Sequence, residues 1–126
     1  MGISASATTV PGLFEALGLG LFALMTDLRK VRPREQRSVE VTGSEVPGLT
    51  VAYLNALILL QQSESFLVRQ LQVRPTGQPP FRLSVRMWGE SFDPTRHTQG
   101  MEVKAATWHK LRVDLNRRTA RVIVDI

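Results

Sequence analysis

The stretch WGESFDPTRHTQG, residues 88–100, gathers Glu90, Asp93, Arg96 and His97 within a few positions. Two carboxylates and an imidazole so close together are the residue types of a metal site or of an acid/base pair. The i, i+3, i+7 spacing of Glu90, Asp93 and His97 would align them on a helix, but Gly89 and Pro94 argue against a helix there. Asp followed by Pro is a good start for a type I turn. A hard cation takes about six to eight oxygen ligands, and only two carboxylates are local. The expectation is therefore a turn-forming loop with exposed charges.

His109 is the only other histidine. No G-x-S-x-G, Walker A or G-x-G-x-x-G pattern is present to mark a nucleophile or a phosphate-cradling loop. Asp125 is harder to set aside. In the terminal RVIVDI, Val122, Val124 and Ile126 share one face of a strand, and Asp125 lies on the other with Arg121 and Ile123. Beside the terminal carboxylate of Ile126 it concentrates oxygen ligands of the kind hard cations take. The plainer reading is an exposed aspartate near Arg121.

The elements that must position these residues follow from periodicity. Leu13, Phe14, Leu17, Leu21, Leu24, Met25 and Leu28 recur at helical spacing over 11–28, with Pro11 in the first turn and Pro33 as the stop. Gly18 and Gly20 weaken that helix but admit a close neighbour. A second helix is expected at about 47–62, apolar around most of its circumference. Strands are expected at 2–8, 36–43, 66–73, 82–88, 101–116 and 120–126, with turns at 76–80 and 116–119. In the strand 82–88, Leu83, Val85 and Met87 face one way and Arg82, Ser84, Arg86 and Trp88 the other. The order β-α-β-α-β-β-β-β implies a single α+β domain, two helices packed on a largely antiparallel β-sheet.

Composition bounds the function. Net charge is +5, with 16 Lys and Arg against 11 Asp and Glu. RKVRPREQR, residues 29–37, carries +4 of it and reads as a solvated connector after a helix. Such a balance favours acidic partners such as RNA, nucleotides or an acidic protein face. The chain has no cysteine, which excludes disulfides and thiol catalysis within it. The longest nearly apolar run, VAYLNALILL, is half the roughly 20 residues that a spanning helix needs. With no signal-like start in MGISASATTV, a cytoplasmic location without membrane attachment is expected.

Four segments in order, MTDLRKV (25–31), WGESFDPTRH (88–97), EVKAATWH (102–109) and RVIVDI (121–126), together resemble the archease family. YLNALILL stands where that family has a Trp/Tyr-Leu-Asn-Glu-Leu-Leu helix. The resemblance implies a non-catalytic activator of the RtcB-type RNA ligase. Such an activator promotes the metal-dependent guanylylation of the ligase on its own histidine, and its turnover, in tRNA splicing and RNA repair. It also implies a chaperone-like association with a tRNA methyltransferase, RNA being met indirectly. A divalent cation is implied, calcium by resemblance with magnesium or manganese as alternatives, held by an N-terminal aspartate, the penultimate Asp125 and the terminal Ile126.

Glu90, Asp93, His97, Lys104, Thr107 and His109 match family-pattern positions, with expected roles as partner contacts or supports beside the ion. The family precedes Gly-Ile with a His-Thr-Ala-Asp-Val segment, and Met1 stands at its Val position. A GUG valine codon can be read as a start codon, so the expectation is a gene product that begins further upstream than Met1. Without the upstream aspartate, the ion is expected to bind weakly or not at all. The competing reading is a basic RNA-binding module. Against it stand the few aromatic residues and the absence of an RRM-type pattern.

Overall fold

The computed structural model describes residues 1–126. It runs β1 (Gly2–Ser6), α1 (Val10–Met25), a short 3-10 turn (Leu28–Lys30), β2 (Glu35–Gly43), α2 (Val46–Glu64), β3 (Phe66–Pro75), β4 (Phe81–Ser91), β5 (Ala105–Ala106), β6 (Arg112–Asp114) and β7 (Thr119–Asp125). Every strand pair is antiparallel. The α+β class with two helices is as expected. The strands form two sheets rather than one: β2-β4-β3, and a second in which β7 pairs with β1, β5 and β6.

The first helix starts where Thr9 accepts the Gly12 N–H at 3.0 Å, a side-chain N-cap ahead of Pro11. It ends at Met25, short of the expected 28. Asp27 begins a new turn instead, its carboxylate accepting the Arg29 N–H at 3.1 Å. Asp27 thus wins the competition between helix propagation and local capping. One side of α1 is buried through Leu13, Phe14, Leu17, Leu21 and Phe22. Gly18 admits the close neighbour its sequence suggested, the Tyr53 hydroxyl and Leu71 lying where a side chain would stand. The Tyr53 hydroxyl donates to the Phe14 carbonyl at 2.8 Å, which satisfies a buried polar atom between the helices. Burial pushes that phenol far above its ordinary pKa.

The β2-β4-β3 sheet alternates as its sequence demands. Val41, Leu83, Val85, Met87, Leu71 and Val73 are buried in the core. The strand expected over 101–116 is instead broken into β5 and β6. Trp108 to Leu111 turn away between them, with Lys110 at a positive φ of 51°. No helix is long and apolar enough to cross a membrane.

Candidate functional site

The loop after β4 forms the expected turn, with Pro94 and Thr95 exposed, but not all of its charges are. Glu90 is 6% exposed and His97 5%. Glu90 Oε2 accepts from the Arg32 backbone N–H at 2.8 Å, from Arg96 Nη2 at 2.8 Å and from His97 Nε2 at 2.9 Å. Its Oε1 accepts from Arg96 Nη1 at 3.0 Å. The Arg96 fork, followed by the Arg32 N–H and the His97 ring, holds the Glu90 carboxyl at about 2, well below the usual glutamate range.

The tautomer of His97 follows from its partners. Its Nδ1 accepts the Asp93 N–H at 2.8 Å, so that nitrogen carries no proton and Nε2–H donates to Glu90. Asp93 closes the turn that Asp-Pro foretold: Oδ1 accepts the Thr95 N–H at 2.9 Å and the Thr95 hydroxyl at 2.8 Å. The Thr95 donors, the N–H first, lower the Asp93 pKa.

The same knot reaches the basic segment. Arg96 donates to the Lys30 carbonyl at 3.4 Å, and Lys30 Nζ meets the Thr98 hydroxyl at 3.4 Å. The buried Thr26 hydroxyl donates to the Thr98 carbonyl at 2.7 Å. Residues 29–34 are therefore pinned rather than a loose connector, and they hold Arg29, Lys30, Arg32 and Arg34 exposed. Beside them the Gly100 and Met101 N–H groups donate to the Met25 and Leu24 carbonyls at 2.7 and 2.8 Å, closing the open end of α1. A cleft of about 460 Å³ opens there, lined in part by Gln61, Phe92, Gln99 and Glu102.

The second group of candidates lies on the other sheet. The Lys104 N–H donates to the Asp125 carbonyl at 2.7 Å, and the Thr107 N–H and hydroxyl both donate to the Ile123 carbonyl at 2.9 Å. Thr107 thus works inward, as a clamp on β7. Lys104, His109 and Asp125 are exposed, and none of their side chains has a hydrogen bond or ion pair within the chain. Ile126 is exposed beside Asp125. Trp108, 62% exposed, reaches over Gly48 at the start of α2.

No hydrogen bond or ion pair links this group to the Glu90 knot. Asn55 was missed by sequence reasoning. Its Oδ1 accepts the Ala106 N–H at 2.8 Å, fastening β5 to α2. The signal was a lone amide in the apolar run VAYLNALILL.

Asp125 and Ile126 offer hard oxygen donors, which suit a hard cation in kind. In number they fall short: no group of three or more His, Cys, Asp or Glu converges anywhere in the chain. Glu90 cannot make up the difference, because four donors already occupy its oxygens. His97 has both ring nitrogens engaged, so it is committed to holding the loop.

The chain matches the Archease protein family over residues 1–126. It is 36% identical to the protein archease of Thermococcus gammatolerans over 115 residues, 90% of this chain and 81% of that protein. The solution structure of protein 1598 from Methanobacterium thermoautotrophicum superposes with a TM-score of 0.84 at 28% identity, covering 99% of this chain and 91% of that one. The crystal structure of an archease, possible chaperone, from Thermotoga maritima shares the fold with a TM-score of 0.53 at 17% identity, covering 100% of this chain and 88% of that one.

Proposed function

Because the chain belongs to the archease family, we propose that it activates an RtcB-type RNA ligase in the cytoplasm without itself catalysing a reaction. It promotes guanylylation of the ligase and its turnover in tRNA splicing and RNA repair. The observation that carries this reading is the group of outward side chains on the second sheet. Lys104, His109 and Asp125 match family positions, yet none contributes a side-chain bond to this fold. Groups that do nothing for their own domain are free to meet a partner.

Asp125 and the backbone oxygens of Ile126 would hold a divalent cation at that surface. Water or the docked ligase would supply the rest of its shell. The ion would bring a positive charge to the contact, while Lys104 offers an ammonium and His109 an imidazole.

The test uses purified ligase, labelled GTP and manganese, with and without this protein. Lys104→Ala and Asp125→Ala are expected to reduce stimulation of guanylylation roughly tenfold, the loss of one charge-assisted contact, with unfolding curves unchanged. Stimulation equal to the parent in both variants would remove these residues from the contact. In a companion reaction without ligase, covalent nucleotide on this chain would overturn the non-catalytic reading. A chaperone-like association with a tRNA methyltransferase is the second reading. It is favoured by the exposed large apolar residues Leu59, Met101 and Trp108.

A further inference from the structure

The face of the β2-β4-β3 sheet turned away from the helices is uncovered. Its cross-strand rows follow from register: Gln36–Trp88–Gln70, Ser38–Arg86–Gln72, Glu40–Ser84–Arg74 and Thr42–Arg82. A bulge between Val68 and Gln70 interrupts the alternation of β3 and leaves Arg69 exposed next to Gln70. Arg69, Arg74, Arg82 and Arg86 are all exposed, and no hydrogen bond or ion pair engages their guanidinium groups; the Thr76 hydroxyl meets only the backbone of Arg82. The one carboxylate in these rows is Glu40, which meets the Ser84 hydroxyl at 3.4 Å. A shallow groove of about 330 Å³ runs between β2 and β4, lined by Ser38, Glu40, Ser84 and Arg86.

We infer that this sheet face binds single-stranded RNA, with Trp88 as a stacking platform and the four arginines along the phosphate path. Four unpaired guanidinium groups against one carboxylate call for a polyanion, and the planar arginine fork fits phosphate. Trp88 narrows the class. Half-buried between Gln36 and Gln70, its ring is held by the sheet and bordered by amides that can donate to and accept from base edges. A duplex keeps its base faces stacked inside, so an aromatic platform serves unpaired bases. An acidic protein would meet the arginines but has no use for stacking. From Trp88 to Arg82 the strand runs roughly 20 Å, enough for a short single-stranded segment. This face belongs to a different sheet from the strand that carries Asp125.

The experiment titrates the full chain, as Trp108→Phe so that Trp88 is the only indole, with a fluorescein-labelled single-stranded RNA of mixed sequence. Anisotropy reports binding and tryptophan quenching reports stacking. Quenching is expected together with binding, and a log–log salt slope near −3 for about four phosphate contacts. Arg82→Ser with Arg86→Ser should bring the slope to about −1.5. Trp88→Leu should weaken binding roughly fivefold to 100-fold. The control Arg32→Ser with Arg34→Ser alters the other basic region.

Four results overturn the inference: no binding at about 50 mM salt; sheet variants that bind like the parent while the control variant loses RNA; duplex RNA bound as tightly as single strands; or polyglutamate competing on equal terms, which would make the face an acidic-protein dock. Urea unfolding of each variant separates loss of contact from loss of fold.

Discussion

Glu90 and Asp125 are both carboxylates at the end of a strand, and the chain treats them in opposite ways. Glu90 is buried at the end of β4, and four donors occupy its two oxygens. Asp125 stands exposed at the end of β7, its backbone paired to β5 and the Lys104 N–H and its side chain free of any hydrogen bond or ion pair. A carboxylate removed from water has to be repaid by donors, and an unpaired one would drive its pKa up rather than down. Glu90 therefore cannot lend an oxygen to an ion or to a partner without opening its knot. Asp125 can lend both. Two residues of one chemical type thus divide into one that builds the surface and one that is left on it.

The hardest way to break the first region is through its neighbour Gly89. A Cβ there would collide with the Leu67 carbonyl across the β3–β4 ladder, at the site of the bulge. Backbone cannot yield as a side-chain tip does, so Gly89→Ala should cost roughly 3 kcal/mol or more or prevent folding. Chemical denaturation of the purified variant measures this. A near-normal midpoint would mean the ladder beside Glu90 is slack.

Glu90→Ala comes next. It leaves the Arg32 N–H, the His97 ring and the Arg96 fork without their acceptor. Breaking a buried pair costs about 3–5 kcal/mol, but Arg96 is partly exposed and regains water, so roughly 2–3 kcal/mol is expected. A loss of ligase stimulation in Glu90→Ala would therefore report the fold rather than a partner contact. Glu90→Gln should recover part of the stability. A Glu90→Ala domain as stable as the parent would make the knot ornamental.

The pH dependence of stability sharpens the same contrast. The Glu90 pKa falls from 4.5 to about 2 on folding, chiefly through Arg96. A depressed carboxylate contributes stability above its unfolded pKa, and that contribution is lost as pH falls through the folded one. Between about pH 4.5 and 2 the parent should therefore lose of the order of 2 kcal/mol that Glu90→Gln does not. Asp27, lowered to about 2 mainly by its hydrogen bonds with Arg29, adds a smaller loss of the same sign, because it faces solvent. Parallel acid profiles for parent and variant would contradict the assignment.

The sequence carried the periodic parts of this molecule well. Leu83, Val85 and Met87 announce which face of β4 is inside, and helical spacing from Leu13 to Leu24 announces α1. Local competitions were less legible. Asp27 ended α1 early, and the 101–116 stretch broke because Trp108 to Leu111 turn where alternation alone predicts continuity. The separation into two sheets depends on which edges β7 chooses, a long-range matter with no local sign. At the site, spacing brought Glu90, Asp93 and His97 under suspicion together, and the structure does join them. The burial of Glu90 and His97 was less legible: Arg96 and His97 donate to Glu90 from nearby positions, but the Arg32 N–H that completes its set of donors comes from 58 positions away.

The smallest expected effect on stability belongs to Asp125→Ala, and it is the most informative about the second region. The side chain makes no bond within the chain, so its loss should change the unfolding free energy by no more than about 0.5 kcal/mol. Cation binding should respond in the opposite proportion. With few protein oxygens at the site, calcium should bind the parent weakly, with a Kd of the order of 10⁻⁴–10⁻³ M, the range of sites poor in ligand charge. Calorimetric titration with calcium and with manganese should show that weak binding in the parent and none in Asp125→Ala, while Glu90→Gln, still folded, binds like the parent. Tight binding by the parent would mean that donors beyond Asp125 and Ile126 converge there. Binding that survives Asp125→Ala but fails in Glu90→Gln would invert the comparison and place the ion at the knot, where four protein donors now hold the carboxylate.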